Sequence, residues 1–183
     1  MKIPSKLPKE AVLVFKGISF DIYQWQQLLY DGTFATFEMA KRPNAVSIIP
    51  VIGDKLVILH EEQPSHPLRI SFPGGHIEED EEPLAAAIRE LKEETGMIFN
   101  TFKLVGIEDH GNDRLDCWVF RFIATDYVST VELHVDPGEK IAVDSVSFAD
   151  AKELSLNNDY MSRDLMNKVT SLQELIALPP ING

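Results

Sequence analysis

Apolar and polar positions along the chain change period several times, and these changes divide it into elements. Residues 11–16 (AVLVFK) and 18–23 (ISFDIY) are short β-branched and aromatic runs split by Gly17, the pattern of strands, and residues 25–30 continue the second. Asp31-Gly32 is a strong turn signal, and residues 33–40 (TFATFEMA) follow as a third strand. Residues 1–43 are therefore expected to form a small antiparallel sheet ahead of a main domain at 44–183, with Pro43-Asn44 at the join. Residues 45–52 and 55–60 predict a hairpin around Gly53-Asp54. Residues 61–67, with two prolines, read as a loop, 68–72 as a short strand, and Pro73-Gly74-Gly75 as a turn. Further on, 102–108 and 115–124 predict strands joined by HGNDR. Weaker strands are expected at 131–135 and 141–148, with Ser147 or Ser155 capping short helices. Met161, Leu165, Val169, Leu172 and Ile176 predict one amphipathic C-terminal helix over 161–178.

The stretch from Gly75 to Met97 (GHIEEDEEPLAAAIRELKEETGM) predicts a helix in its second half. Pro83 suits a first helical turn, where a missing N–H costs nothing, and Gly96 is the expected stop. Glu81 and Glu82 place negative charge at the positive end of the helix dipole. At roughly 100° per residue, Leu84, Ala87, Ile88, Leu91 and Thr95 share one side, and Ala86, Glu90, Glu93 and Glu94 the other. Core packing accounts for the first set. Glutamates at i, i+3 and i+4 with no lysine among them repel by a few tenths of a kcal/mol, roughly, per pair. Arg89 and Lys92 flank the cluster without neutralising all of it. A divalent cation would relieve the repulsion, since Mg²⁺ takes oxygen ligands and pairs carboxylates with substrate phosphates. Spacing alone leaves two readings open, a metal site and a solvated acidic face. With strands on both sides of this helix and a second helix to close the fold, an α/β class with a mixed sheet follows.

Composition narrows the partners. A chain of 183 residues with 44% apolar content can bury a sizeable core in one domain with a small extension. Its net charge of −12 argues against a general nucleic-acid surface and favours a small, metal-chelated anion. Cys117 is the sole cysteine, so no disulfide framework or thiolate metal cluster is expected. The opening MKIPSKLPKE lacks the apolar core of a signal peptide, and the aliphatic segment 45–52 is too short for a bilayer. The expectation is a soluble cytoplasmic protein with no membrane partner.

Gly75, five residues, Glu81, seven residues, then Arg89-Glu90-Leu91-x-Glu93-Glu94-x-Gly96-Met97 resembles the Nudix box of the Nudix hydrolases, with Met97 where Ile, Leu or Val is usual. The resemblance implies an α/β/α sandwich with a mixed sheet, and hydrolysis of a nucleoside diphosphate linked to another moiety by water attack at phosphorus. It implies Mg²⁺, with Mn²⁺ as the alternative, held by Glu90 and Glu94, with Glu93 as a further ligand or base and the Gly74 carbonyl completing the shell. Glu81 and Arg89 would brace the loop against the helix. In one branch of the superfamily the base lies on a later loop. Here Glu139, Asp136 and Glu132 are the candidates, and Glu139 is favoured because PGEKIAV resembles the acidic loop of ADP-ribose pyrophosphatases.

The succession FEMAKRPNAVSIIPV, EEQP and PGGHIEEDE is similar to the ADP-ribose and nucleoside diphosphate sugar pyrophosphatase branch. That implies a homodimer in which the N-terminal sheet swaps and helps hold the nucleotide. Glu38 and Arg42 are then substrate contacts, and Phe37, Tyr23 or Trp25 stack on a base, each with core packing as its plainer role. Arg69 either pairs with a phosphate or is a solvent-facing strand residue. Glu62-Gln63-Pro64-Ser65-His66 lacks the arginine that many ADP-ribose enzymes carry there, and Gly111 to Asp113 replace a proline they often show beyond the box. Both departures widen the expected range to nucleoside diphosphate sugars in general. Histidines 60, 66, 76, 110 and 134 have no metal-ligand spacing and read as loop and surface residues, His76 being near the site. The expected activity is cleavage of such a sugar nucleotide to a nucleoside monophosphate and a sugar phosphate. The alternatives are a Nudix hydrolase of nucleoside triphosphates or dinucleoside polyphosphates, and a nucleotide-binding sensor without turnover.

Overall fold

Short apolar runs between glycine- and proline-marked turns produce two sheets in the computed structural model, which describes residues 4–64, 66–111, 113–132 and 140–181. The first sheet has the order β1 (Val12–Lys16), β2 (Asp21–Leu28), β3 (Phe34–Lys41) and β8 (Leu115–Asp116). β1, β2 and β3 are antiparallel neighbours, and β8 adds to β3 in parallel. The two runs expected between residues 18 and 30 join into the single strand β2.

The second sheet has six strands, ordered β10 (Lys140–Ser147), β5 (Lys55–Gln63), β4 (Ala45–Ile52), β9 (Trp118–Thr130) and β7 (Met97–Asp109), with β6 (His66–Ser71) also paired to β5. β4 runs parallel to β9 and antiparallel to β5, so the sheet is mixed. The β4–β5 hairpin turns at Gly53, whose φ of 61° favours glycine. One face packs Val46, Ile48, Phe120 and Phe122 against Ala86, Ala87 and Leu91 of α1 (Pro83–Thr95). The other packs Ile49, Val51, Ile58 and Ile123 against α2 (Phe148–Ser155), α3 (Arg163–Lys168) and α4 (Leu172–Ala177). This is the α/β/α sandwich with a small N-terminal sheet. Full burial of each Leu, Ile or Phe contributes about 1.5–3 kcal/mol. No helix among the described residues is long and apolar enough to cross a membrane.

Several expectations are corrected. The loop read at 61–67 is largely strand. Glu61 is buried in β5, where it accepts hydrogen bonds from Arg69 Nε (2.6 Å) and Ser71 Oγ (2.7 Å), and His66 and Pro67 open β6. A polar residue facing inward with its partners supplied by the next strand mimics a loop in sequence. The single C-terminal helix is broken. Ser171 Oγ accepts from the Glu174 backbone N–H (3.2 Å), and the Glu174 carboxylate accepts from the Thr170 backbone N–H (2.6 Å), reciprocal end-capping bonds that start α4 afresh. Ser147 caps α2 as expected, whereas Ser155 ends that helix. The strand expected at 131–135 begins with residues outside any strand at 131–132, and the remainder lies outside the described residues.

The phase of α1 is also rotated. Pro83 starts the helix and Gly96 (φ 68°) ends it, but Ala86 is fully buried while Leu84 and Ile88 are 46% and 47% exposed. The covered stripe runs through Pro83, Ala86, Ala87, Leu91 and Thr95, and the partly covered Glu90 and Glu94 lie along it. The small alanines let the helix lie close to the sheet.

Candidate active site

Three backbone interactions fix the turn that the box is built on. Ile48 N–H donates to Pro73 O (2.8 Å), Val46 N–H donates to Gly75 O (2.9 Å), and Ala45 bridges His76. The turn therefore lies directly against β4, so closely that a Cβ on Gly74 would come within 2.2 Å of Val46 O. On its other side it meets α1. A Cβ on Gly75 would stand 2.4 Å from the Glu90 carboxyl carbon, and Glu94 Oε2 accepts from the Gly74 N–H at 2.8 Å. Glycine at 74 is thus a requirement of space, a side chain at 75 would displace the Glu90 carboxylate, and Glu90 and Glu94 converge on one two-residue turn.

Arg89 ties the loop to the helix. Its Nε and Nη2 donate to the Glu81 carboxylate at 3.0 and 2.8 Å, and Nη2 also donates to His76 O (3.0 Å). Its Nη1 donates to Glu90 Oε1 (2.8 Å) and Glu93 Oε2 (3.1 Å). One guanidinium thus serves three carboxylates, more of the cluster than sequence spacing credits to it. Hydrogen bonding to Arg89 holds Glu81 below the ordinary carboxylate range. Glu90 goes the opposite way: burial pushes its pKa up, Arg89 offsets part of the rise, and the charges of Glu93 and Glu81 add to it. Glu93 is the outermost of the three, with half its side chain exposed.

The donor set fits a hard divalent cation. Glu90, Glu93 and Glu94 offer oxygen alone, Glu90 and Glu94 lie directly against the glycine turn, and burial disfavours the Glu90 charge. With Arg89 spanning Glu90 and Glu93, no three His, Cys, Asp or Glu among the described residues are grouped to chelate a metal as they stand.

The other expected site residues divide. Arg42, just past the end of β3, reaches the turn: its Nη2 lies 2.7 Å from His76 Nε2, and its guanidinium carbon lies 5.9 Å from the Phe20 ring centre. Glu38 is exposed on β3 and accepts from Gln24 Nε2 (3.1 Å). Trp25 and Phe37 pack against each other at 6.0 Å. Arg69 is committed to Glu61 and lies 4.6 Å over the Tyr160 ring, so neither a free phosphate ligand nor a plain surface residue describes it. Glu132 is exposed just beyond β9, whereas Asp136 and Glu139 lie outside the described residues.

Sequence reasoning missed Asp116. It is buried between the two sheets and accepts from Ser5 Oγ (2.6 Å), the Lys6 backbone N–H (3.1 Å) and Trp118 Nε1 (3.0 Å). The N-terminal segment is thereby sewn to the seam from which Arg42 projects. An acid interrupting the apolar run at 115–124 was the available signal.

A family model of the NUDIX domain matches residues 41–165. Among curated relatives, an "ADP-ribose pyrophosphatase" of Bacillus subtilis (strain 168) is 33% identical over 85 residues, 45% of this chain and 46% of that protein. A "Methanol dehydrogenase activator" of Bacillus methanolicus is 31% identical over 70 residues, 37% of this chain and 38% of that protein. An "ADP-sugar pyrophosphatase" of Mus musculus is 45% identical over 67 residues, 33% of this chain and 31% of that protein. The chain thus spans less than half the length of these relatives. Among solved structures, an "ADP compounds hydrolase" superposes with a TM-score of 0.69 at 21% identity, covering 87% of this chain and 90% of that one. A NUDIX hydrolase from Nitrosomonas europaea gives 0.57 at 22% identity, covering 72% and 95%. At these identities the superpositions speak for the fold.

Proposed function

Because the chain belongs to the NUDIX domain family, we propose that it hydrolyses the pyrophosphate bond of a nucleoside diphosphate sugar, ADP-ribose included, to a nucleoside monophosphate and a sugar phosphate. The observation that carries this reading is the convergence of Glu90 and Glu94 on the Gly74–Gly75 turn, with Arg89 locking that turn to the helix through Glu81. Similarity to proteins named for ADP-ribose and ADP-sugar pyrophosphatase activity supports the substrate class.

Glu90, Glu94 and Glu93, with the Gly74 carbonyl, are the residues that would hold Mg²⁺ or Mn²⁺. The cation would supply charge neutralisation at the pyrophosphate and acidify the attacking water. The chain's own groups do the rest. Arg89 keeps the carboxylates in register with the turn, so that the groups that would hold the cation opposite the developing phosphoryl charge need no reorganisation. Arg42 faces the same turn and places a cation where a substrate phosphate can take its hydrogen bonds. Proton removal from the attacking water falls to Glu93 or, from outside the described residues, Glu139.

The partner in this reading is a second copy of the chain. Val12, Val14, Phe15, Leu28, Phe34 and Phe37 expose large apolar side chains on the N-terminal sheet, more than an isolated sheet keeps in water. A homodimer through this sheet would cover them.

A substrate panel tests the reading: ADP-ribose, GDP-mannose, UDP-glucose, a dinucleoside polyphosphate and a nucleoside triphosphate, incubated with Mg²⁺ and analysed by mass. Nucleoside monophosphate plus sugar phosphate is the expected outcome. Orthophosphate or pyrophosphate from the triphosphate alone would shift the assignment to a triphosphate hydrolase. Ligand-induced thermal stabilisation with no product would make the chain a sensor.

A further inference from the structure

Arg42 is held unlike four of the other arginines. Arg69, Arg89, Arg121 and Arg163 each stand within 2.6–3.1 Å of a carboxylate oxygen. The side-chain hydrogen bond of Arg42 goes to an imidazole, 2.7 Å away. A guanidinium has donors only, so Nε2 of His76 is the acceptor and the ring is neutral with its proton on Nδ1. A carboxylate at this place would orient the arginine and cancel its charge. A neutral imidazole orients it without cancelling its charge, and among the described residues no carboxylate is paired with it. In a chain of net charge −12, acids to pair with Arg42 are abundant, yet a histidine stands there.

His76 is itself referenced to the box from two sides. Its carbonyl accepts from Arg89 Nη2 (3.0 Å), and its backbone bridges Ala45 at the start of β4. Arg42 is approached from its other flank by the Phe20 ring, and its own backbone N–H donates to Asp116 O (3.3 Å). His76 is therefore anchored by its backbone to the turn that Glu90 and Glu94 face, and its imidazole meets a guanidinium just past β3 that, among the described residues, has no carboxylate partner.

We propose that His76 is a positioning residue that aims the Arg42 guanidinium at a phosphate of the nucleoside diphosphate substrate. The inference rests on the nucleoside diphosphate sugar reading above and adds to it which side chain sets the reach of Arg42. Binding is the affected quantity, because Arg42 meets a phosphate already charged in the ground state.

The test is steady-state kinetics of the full chain with Mg²⁺ and whichever sugar nucleotide of the panel is cleaved. His76→Leu, which keeps bulk but cannot accept, should raise KM about tenfold with kcat within about twofold, and Arg42→Gln should raise KM at least as much. His76→Gln, whose amide oxygen can accept from the guanidinium, should restore KM to within about threefold of the wild type. The double variant His76→Leu/Arg42→Gln should be no worse than Arg42→Gln, since the imidazole acts through the arginine. An unchanged KM in His76→Leu, a fall in kcat at constant KM, or additive losses in the double variant would each overturn the proposal. If His76→Leu does not fold, His76→Asn, too short to reach Arg42, takes its place with the same expected rise. Wild-type protein that cleaves no member of the panel would instead overturn the substrate reading, whatever the variants do.

Discussion

Strands β1 (VLVFK) and β4 (AVSIIPVI) have similar apolar content, but their surroundings differ completely. β4 lies between β5 and β9, with helices on both faces, and Ile48 and Ile49 are wholly buried. β1 is an edge strand, and every one of its residues is exposed. The same kind of sequence is satisfied in one sheet and unsatisfied in the other. Apolar periodicity specifies a strand, while what covers the strand is decided by chain topology, here the crossover helix α1 and the closing helices α2 to α4. The main sheet serves to fix the box turn. The N-terminal sheet carries Arg42 at its end and presents an apolar surface that only another surface can cover.

Removal of the N-terminal sheet should have the largest effect. Deleting residues 1–40 should abolish sugar-nucleotide cleavage and leave a monomer by light scattering, because the sheet proposed to hold the nucleotide and to form the dimer goes together with the strand before Arg42. A truncated protein with full turnover would show that the main domain suffices. Next in size is a pair of substitutions at matched strands. Ile48→Ala in β4 should cost about 2–5 kcal/mol in urea unfolding, the usual range for opening a cavity in a packed core. Val12→Ser with Phe15→Ser in β1 should leave the monomer's stability within about 0.5 kcal/mol and weaken self-association at least about tenfold. Equal stability losses at both places would mean β1 is already covered within one chain.

The smallest effect is at the seam between the sheets. Partial burial, then the facing Arg42 charge, hold the His76 imidazole below its ordinary pKa of 6.5. The unfolded chain therefore takes up a proton on acidification before the folded one does. Any contribution is intact above the unfolded value and is lost as pH falls through it toward the folded one. The wild type should lose slightly more stability than His76→Gln when pH falls from above 6.5 to about 5.5, by under about 0.5 kcal/mol because the residue is only partly covered and solvent screens the Arg42 charge. A larger loss in His76→Gln would reverse the assigned sign.

The helix of the box was legible at its ends, since Pro83 and Gly96 act through local backbone chemistry. Its phase was not. Leu84 and Ile88 suggested the buried side, but the stripe facing the sheet uses Ala86 and Ala87, and Glu90 and Glu94 lie along it because the turn they serve is docked on β4. Counting hydrophobic residues cannot find a half-buried stripe that carries function. Glu61 misled for a related reason: its partners Arg69 and Ser71 come from a different strand. The Glu81–Arg89 brace was readable from the box pattern, and the structure forms it. The Arg42–His76 pair joins residues 34 positions apart with no motif between them, so only the folded chain brings it into view.

The most direct test is turnover of the preferred sugar nucleotide by Glu94→Gln at saturating Mg²⁺, with monophosphate and sugar phosphate quantified by mass. Loss of the carboxylate charge at the Gly74 turn should lower kcat by at least roughly 10²-fold while the fold, read by circular dichroism, stays intact. Wild-type turnover in that variant would contradict the assignment of this turn and helix as the place where the pyrophosphate is cleaved.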